Sequence, residues 1–305
     1  MPCRQDERLA EQSGDAQIRV DDMRFALSTS PQMCTWDQLR DVWRAADDIE
    51  LWESAWTFDH FEPILGHPRD GDCLEGWMTL AALLHSTTRL RGGVLVTGML
   101  YRNPAVLANM AATLDITSGG RLELGLGAGW NVDESDAYGI ELGTMKQRFD
   151  RFAEGLEVIR QLLTQPQSTF NGTYFQLKDA YCNPKPLQTP YPPICIGGSG
   201  ERRTLPLVAK YADHWNFGSI ASDPIAELTH KRDVLHEHCA AIGRDPGEIL
   251  ISALIFGRSQ TIERSVELAH LYEQAGVGLG IVSLPRPLDP RDVERYADAL
   301  RPLAE

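Results

Sequence analysis

The chain has 305 residues, of which 43% are hydrophobic and 24% are charged, so it can bury one sizeable core, and an α/β barrel of this length commonly forms a single domain. Its formal net charge of −14 argues against a nucleic-acid or membrane-surface binder, because both partners are anionic and would repel it. The six cysteines are scattered without a C-x-x-C pair, which argues against a zinc site or a disulfide framework and favours reduced thiols.

The N-terminal segment differs in composition from the rest of the chain. Residues 1–22 are polar and charged, and we expect a disordered arm there. Alternating apolar runs begin at Met23, so residues 23–305 are expected to form one domain. Without an apolar signal region or a run of transmembrane length, the chain is expected in the cytoplasm.

From Met23 onward, short apolar runs alternate with segments of helical periodicity. The first helix follows a capping box at Thr35-Trp36-Asp37-Gln38, and the third has Pro104 at its start. The other helices are predicted at Trp77–Thr88, Met145–Leu163, Glu201–Tyr211, Pro224–Ile242, Ile262–Ala275 and Asp289–Leu303. The predicted strands are Arg24–Thr29, Ser54–Phe58, Leu90–Thr97, Arg121–Leu126, Ile194–Ile196, His214–Phe217, Ile249–Phe256 and Gly278–Ser283.

An insertion separates the fourth and fifth of these strand–helix units. Asn171-Gly172 lies between aromatic residues, which is a strong hairpin signal, and a proline-rich stretch follows from Pro184 to Pro193. Eight alternating units predict a parallel sheet that closes into a (β/α)₈ TIM barrel, with this insertion between strands 4 and 5. An open, doubly wound sheet is the alternative fold.

In such a barrel the reactive groups gather at the carboxyl ends of the strands. Two glycine clusters follow predicted strands, at Gly125–Gly129 and Gly197–Gly200. Glycines let the backbone N–H groups approach an anion, and Arg203 could supply a cation, so the clusters suit the phosphate of a cofactor. The alternative for each cluster is a tight turn without a ligand.

Asp59 and His60 follow the second strand at the same end of the barrel. An imidazole can exchange a proton near neutral pH, and a carboxylate can orient it, so both are predicted to be catalytic. The alternative is that Asp59 caps a turn and His60 packs. The motifs of zinc proteases, serine hydrolases and P-loop enzymes are missing, and no metal is expected.

Seven ordered motifs between about Leu90 and Asn216 resemble the luciferase-like monooxygenase superfamily, and most closely its branch that uses the deazaflavin coenzyme F420. These motifs are Tyr101-Arg102-Asn103-Pro104, Met110–Asp115, Ser118–Trp130, Arg148-Phe149-Asp150-Arg151, Pro184-Lys185-Pro186, Pro193–Gly198 and Tyr211–Asn216.

The resemblance implies a TIM barrel, commonly a homodimer, with the cofactor ring over the mouth. It implies that Leu95, Val96 and Thr97 support the ring from behind, often through a non-prolyl cis peptide, and that Asp59 lies beside the reactive carbon with His60. The cofactor phosphate would lie against Gly127, Ala128, Gly129, Trp130, Gly197, Gly198, Ser199 and Gly200.

One departure concerns Trp130, which occupies the position of the catalytic glutamate of the F420-dependent sugar-phosphate dehydrogenase. That particular activity is therefore not expected.

The leading hypothesis is an F420-dependent oxidoreductase that transfers a hydride between the deazaflavin C5 and a small organic substrate. In it, His60 exchanges the proton, Asp59 orients His60, and Trp56 and Trp130 wall the substrate pocket. An FMN-dependent monooxygenase that uses reduced flavin and dioxygen is the first alternative. A non-catalytic flavin-binding relative is the second. An aldolase barrel is disfavoured, since no lysine ends a predicted strand.

Overall fold

The computed structural model describes residues 23–256 and 261–304. The arm predicted for residues 1–22 therefore lies outside the described residues, so its predicted disorder stays a prediction. The predicted strand Ile249–Phe256 and helix Ile262–Ala275 lie on either side of the gap at 257–260. Within the described ranges, no helix is long and apolar enough to cross a membrane.

Eight parallel strands form a closed barrel, which confirms the predicted fold and rules out the open sheet. Around the barrel, β2 and β11 flank β1, and the order continues through β10, β9, β8 and β5. Gly92 of β3 pairs with Leu122 of β5, which closes the ring. The barrel strands are β1 (Arg24–Ser28), β2 (Trp52–Thr57), β3 (Arg91–Val94) with β4 (Thr97–Gly98), β5 (Leu122–Gly127), β8 (Ile194–Gly197), β9 (His214–Phe217), β10 (Leu250–Ile255) and β11 (Leu279–Ser283).

Helices cover the outside of the barrel, and their starts follow the capping signals of the sequence. The Thr35 hydroxyl accepts from the Gln38 N–H at 3.2 Å, and the Gln38 side chain accepts from the Thr35 N–H in return. The helices are α1 (Trp36–Asp47), α2 (Gly76–Ser86), α3 (Pro104–Thr117), α4 (Val132–Ala137), α5 (Met145–Thr164), α6 (Thr204–Tyr211), α7 (Pro224–Ala241), α8 (Ile262–Gln274) and α9 (Pro290–Leu300).

A two-stranded antiparallel sheet lies between β5 and β8. Its strands are β6 (Ser168–Asn171) and β7 (Gln176–Ala180), and Asn171 pairs with Gln176. The N–H of Gly172 donates to the Phe175 carbonyl at 2.9 Å, so four residues make the turn. Glu154 of α5 accepts three turn N–H groups, those of Thr173, Tyr174 and Phe175, and thereby holds the hairpin against the barrel.

The inside of the barrel is filled by side chains rather than open. Trp56 is 1% exposed and packs edge-on against His214, with ring centroids 5.6 Å apart. Inward-pointing residues of neighbouring strands stack in layers in such barrels, and Trp56 belongs to one of these layers. The prediction that Trp56 walls the substrate pocket is therefore wrong, because its indole lies in the barrel core and does not line the cavity at the mouth.

Candidate active site

A cavity of about 360 Å³ opens at the carboxyl ends of the strands. A volume in this range suits a cofactor ring or a small ligand. Its walls combine glycines at strand ends with apolar and aromatic side chains. The lining residues are His60, Leu95, Val96, Gly98, Tyr101, Gly127, Ala128, Gly129, Trp130, Phe149, Phe152, Gly197, Gly198, Thr204, Asn216, Gly218 and Leu254.

The structure brings most of the predicted site residues to this cavity. Its lining includes His60, Leu95, Val96, Trp130 and part of each glycine cluster, namely Gly127, Ala128, Gly129, Gly197 and Gly198. Asp59, Thr97, Ser199, Gly200 and Arg203 do not line it. Thr97 is fully buried, and its hydroxyl accepts from the Trp77 indole N–H at 2.8 Å. On the surface, Nη1 of Arg203 lies 3.4 Å from Oδ1 of Asp150.

The third barrel strand breaks where the ring support was expected. The structure has β3 and β4 in place of one continuous strand, and the peptide between them, Leu95–Val96, is cis. The cis peptide implied by the resemblance is thus confirmed. The Val96 side chain packs against the ends of β5 and β8, at Gly127 and Gly197. A Cβ atom added to Gly127 would lie 2.7 Å from Val96 Cγ2, and one added to Gly197 would lie 3.1 Å from Val96 Cγ1. These glycines make room for the Val96 side chain beside the cavity.

The loop that precedes α6 carries the second glycine cluster. Gly198 has φ +105°, a conformation that side chains rarely adopt, so glycine is needed there. The Gly200 carbonyl accepts from the N–H groups of Thr204 and Leu205, at 2.8 and 3.0 Å. The next residue is Pro206, which has no N–H. The first N–H groups of α6 are therefore already satisfied, and an anion here would depend on the N–H groups of the loop itself.

His60 and Glu134 meet at the rim of the cavity. Nδ1 of His60 lies 2.9 Å from Oε2 of Glu134, and the Tyr101 hydroxyl donates to the same oxygen at 2.7 Å. The backbone N–H of Phe61 donates to Oε1 at 2.6 Å. One fully buried carboxylate thus receives three partners, two from the segment after β2 and one from the segment before α3.

The protonation of this cluster follows from its contacts. Burial raises the pKa of Glu134, but hydrogen bonds from His60, Tyr101 and the Phe61 N–H outweigh burial, and the pKa is lowered overall. Burial and the bond to Glu134 raise the pKa of Tyr101. Glu134 is therefore a carboxylate and Tyr101 a neutral phenol at neutral pH.

The His60 ring is also fixed by aromatic neighbours. Phe58 and Trp130 both meet it edge to face, with centroids 5.1 and 5.5 Å away. Trp130 itself is 58% exposed, so one face of the indole remains open at the mouth.

Asp59 points away from His60 and forms a separate ion-pair cluster. Its Oδ2 accepts from Arg102 Nη1 at 2.6 Å, and Nη2 of Arg102 donates to Glu75. Asp59 is 1% exposed, and burial raises its pKa although Arg102 lowers it. The structure thus gives His60 a different carboxylate partner from the one predicted, because successive side chains of an extended segment diverge.

A buried polar chain runs from the cavity floor into the barrel. Asn216 Nδ2 donates to the Ser252 hydroxyl at 2.9 Å, and that oxygen lies 2.6 Å from His214 Nε2. Burial lowers the pKa of His214 to about 3, so this imidazole is neutral. The Ser252 hydroxyl and the neutral His214 ring thus share one hydrogen bond, and the Asn216 amide nitrogen is committed to Ser252.

Neither Glu134 nor Tyr101 was among the residues predicted to be catalytic or to bind the cofactor. The signal for α4 was present: Asn131 precedes Glu134 by three residues, and its side chain accepts from the Glu134 N–H at 3.2 Å. A six-residue helix is too short for its periodicity to stand out.

The family model of the luciferase-like monooxygenases matches residues 23–272, and the chain belongs to this family. The F420-dependent hydroxymycolic acid dehydrogenase of Mycobacterium tuberculosis is 30% identical over 251 residues, which are 80% of this chain and 64% of that protein. Pyrimidine monooxygenase RutA of Methylobacterium radiotolerans is 38% identical over 143 residues, 46% of this chain and 36% of that protein. The match thus spans less than two thirds of the length of these curated relatives.

The fold has close counterparts among solved structures. An F420-dependent secondary alcohol dehydrogenase in complex with an F420-acetone adduct gives a TM-score of 0.82 at 19% identity, covering 93% of this chain and 99% of that one. At this identity the likeness shows the shared fold alone.

Proposed function

We propose that this chain is an F420-dependent oxidoreductase that transfers a hydride between the deazaflavin and a small organic substrate, with His60 exchanging the accompanying proton. The observation that carries the proposal is the placement of His60. Its imidazole can both donate and accept a proton, and it lines a cavity whose volume suits a cofactor ring.

The cavity fits a deazaflavin by its chemistry. The ring is planar, and Leu95, Val96 and the glycines at the strand ends offer a surface for one of its faces. The described lining carries no lysine, arginine, aspartate or glutamate, so polar contacts to the ring edge would come from backbone groups and from neutral side chains such as Asn216 and Thr204. When bound, the deazaflavin supplies the hydride chemistry at C5.

The residues of the chain then have separate tasks. Leu95, Val96 and the lining glycines would hold the ring. Its phosphate would lie beyond the cavity lining, at the N–H groups of Ser199 and Gly200. Asp59, Thr97 and Arg203 do not reach the cavity, so we assign them support of its walls. Trp130 would cover the substrate and exclude water, which strengthens each polar contact inside.

An FMN-dependent monooxygenase is the second candidate, and the likeness to pyrimidine monooxygenase RutA favours it. Whichever activity the chain has, the homodimer and the cytoplasmic location stay predictions. Light scattering of the purified protein would measure the oligomeric state.

Two assays separate the two activities, one anaerobic with F420 and one with reduced FMN and dioxygen. The protein is mixed with oxidised F420 and a panel of alcohols, then with reduced F420 and the matching carbonyl compounds, and deazaflavin absorbance is followed. We expect turnover with at least one pair, and its loss in His60→Asn. Oxygen incorporation with reduced FMN and dioxygen, together with no F420 turnover, would contradict the proposal.

A further inference from the structure

Glu134 is a fully buried carboxylate with three hydrogen-bond partners, which together outweigh burial and lower its pKa, so it is ionised. The Phe61 N–H can only donate, and the Tyr101 hydroxyl donates to Oε2, the oxygen that also faces His60 Nδ1. A carboxylate has no hydrogen to give, so the hydrogen between Oε2 and Nδ1 belongs to the imidazole.

The other ring nitrogen of His60 has a different environment. Among the described residues Nε2 has no hydrogen-bond partner, and His60 lines the cavity with 12% of its side chain exposed. In a neutral imidazole that carries its hydrogen on Nδ1, the lone pair lies on Nε2. The proton-accepting atom is therefore the one that is open to the cavity.

We propose that Glu134 is a positioning residue that holds His60 in the Nδ1–H tautomer and leaves Nε2 to exchange a proton with a hydroxyl or carbonyl substrate. This rests on the proposed function. In the oxidative direction the substrate C–H bond breaks with its electron pair passing to the oxidised cofactor. The O–H proton passes to Nε2, and a C=O bond forms. Glu134 then stabilises the imidazolium.

The position of Glu134 in the fold links this task to the cofactor cavity. It lies on α4, which begins directly after the loop Gly127–Trp130, and Asn131 caps that helix. The same short helix thus carries the carboxylate for His60 and ends the loop that lines the cavity. If Glu134 only fastened α4 to Phe61, the His60 tautomer would not depend on the charge of the side chain at position 134.

Glu134→Gln separates the two roles. The Phe61 N–H still requires an acceptor, so the amide oxygen must take the place of Oε1 and the NH₂ group that of Oε2. That NH₂ group donates to Nδ1 and moves the imidazole hydrogen to Nε2, where it blocks proton acceptance. Tyr101→Phe keeps the carboxylate and is expected to keep the Nδ1–H tautomer.

The test is ¹⁵N NMR of histidine-labelled apoprotein, with His60→Asn identifying the His60 signals. We expect the Nδ1–H tautomer in the wild type and in Tyr101→Phe, and the Nε2–H tautomer in Glu134→Gln. An Nε2–H tautomer in the wild type, or an unchanged tautomer in Glu134→Gln, would overturn the proposal. Because no cofactor is present, this result is independent of whether F420 or FMN supports turnover.

Kinetics give a second readout once a substrate pair is found. Glu134→Gln should lower kcat by about 10²–10⁴-fold, and the double variant with His60→Asn should be no slower than His60→Asn alone. Tyr138→Phe is the matched control, because it removes only the bond from α4 to the Phe61 carbonyl and should leave the pH profile unchanged. Multiplicative losses in the double variant would overturn the proposal.

Discussion

Asp59 and Arg102 form a buried ion pair at the carboxyl end of β2, in which Nη1 of Arg102 lies 2.6 Å from Oδ2 of Asp59. The arginine side chain is 15% exposed and the aspartate side chain 1%. The second Nη group of Arg102 pairs with Glu75, the N-cap residue of α2. Oδ1 of Asp59 is buried without a hydrogen-bond partner among the described residues. The pair therefore connects three segments of the chain and leaves Asp59 dependent on Arg102.

Removing Arg102 should lower the free energy of unfolding much more than neutralising Asp59. Arg102→Met leaves a buried carboxylate without its cation, and we expect the free energy of unfolding to fall by about 3–5 kcal/mol. Asp59→Asn should have a smaller effect, since Arg102 keeps Glu75. Urea unfolding of the apoprotein measures both, with Arg203→Met at the exposed pair as the control, expected within about 0.5 kcal/mol of wild type. A loss that small for Arg102→Met would show that the pair is dispensable.

The neutral His214 predicts a pH dependence of stability. Its pKa is about 3 in the folded protein against an ordinary value of 6.5, so the unfolded chain binds a proton that the folded chain does not. Stability from this residue is complete above pH 6.5 and falls as the pH drops toward 3, by up to about 1.4 kcal/mol per pH unit.

The substitution His214→Gln should flatten this slope between pH 6 and pH 4, as measured by urea unfolding at each pH. Exposed His85 provides the control, because His85→Asn should leave the slope unchanged. An identical slope in His214→Gln and wild type would show that carboxylates alone account for the acid sensitivity.

His60 is expected to act in proton exchange and not in cofactor binding. His60→Asn should keep the cofactor dissociation constant within a few-fold, lower kcat by about 10²–10⁴-fold, and remove one limb of the pH–rate profile. Steady-state kinetics across pH with a fixed substrate pair measure all three. Near-normal turnover with an unchanged profile would assign the proton to another group or to solvent.

The barrel was predictable because its signals are local. The alternation of strand and helix, the capping box at Thr35 and the hairpin around Asn171 each lie within a few residues, and each occurs in the structure. Both glycine loops also reach the mouth as expected, since the carboxyl ends of parallel strands meet there.

The partners of the site residues were not predictable because they are distant in sequence. His60 and Glu134 are 74 residues apart, and Asp59 and Arg102 are 43 apart. Asp59 and His60 are adjacent in the sequence, which suggested a contact between them, but the extended backbone points their side chains apart. Trp56 was assigned to the pocket, but its position before the carboxyl end of β2 places the indole in the barrel core with Ala26 and Ile281.

Binding of F420 to the cavity is tested most directly by a titration of the apoprotein with F420 and with FMN, each oxidised and reduced. Trp130 lies at the cavity and is 58% exposed, so quenching of tryptophan fluorescence should report binding, and Trp130→Phe should reduce the signal without abolishing affinity. We expect a lower dissociation constant for F420 than for FMN in the matching redox state. Equal affinities, or tighter binding of FMN, would contradict it.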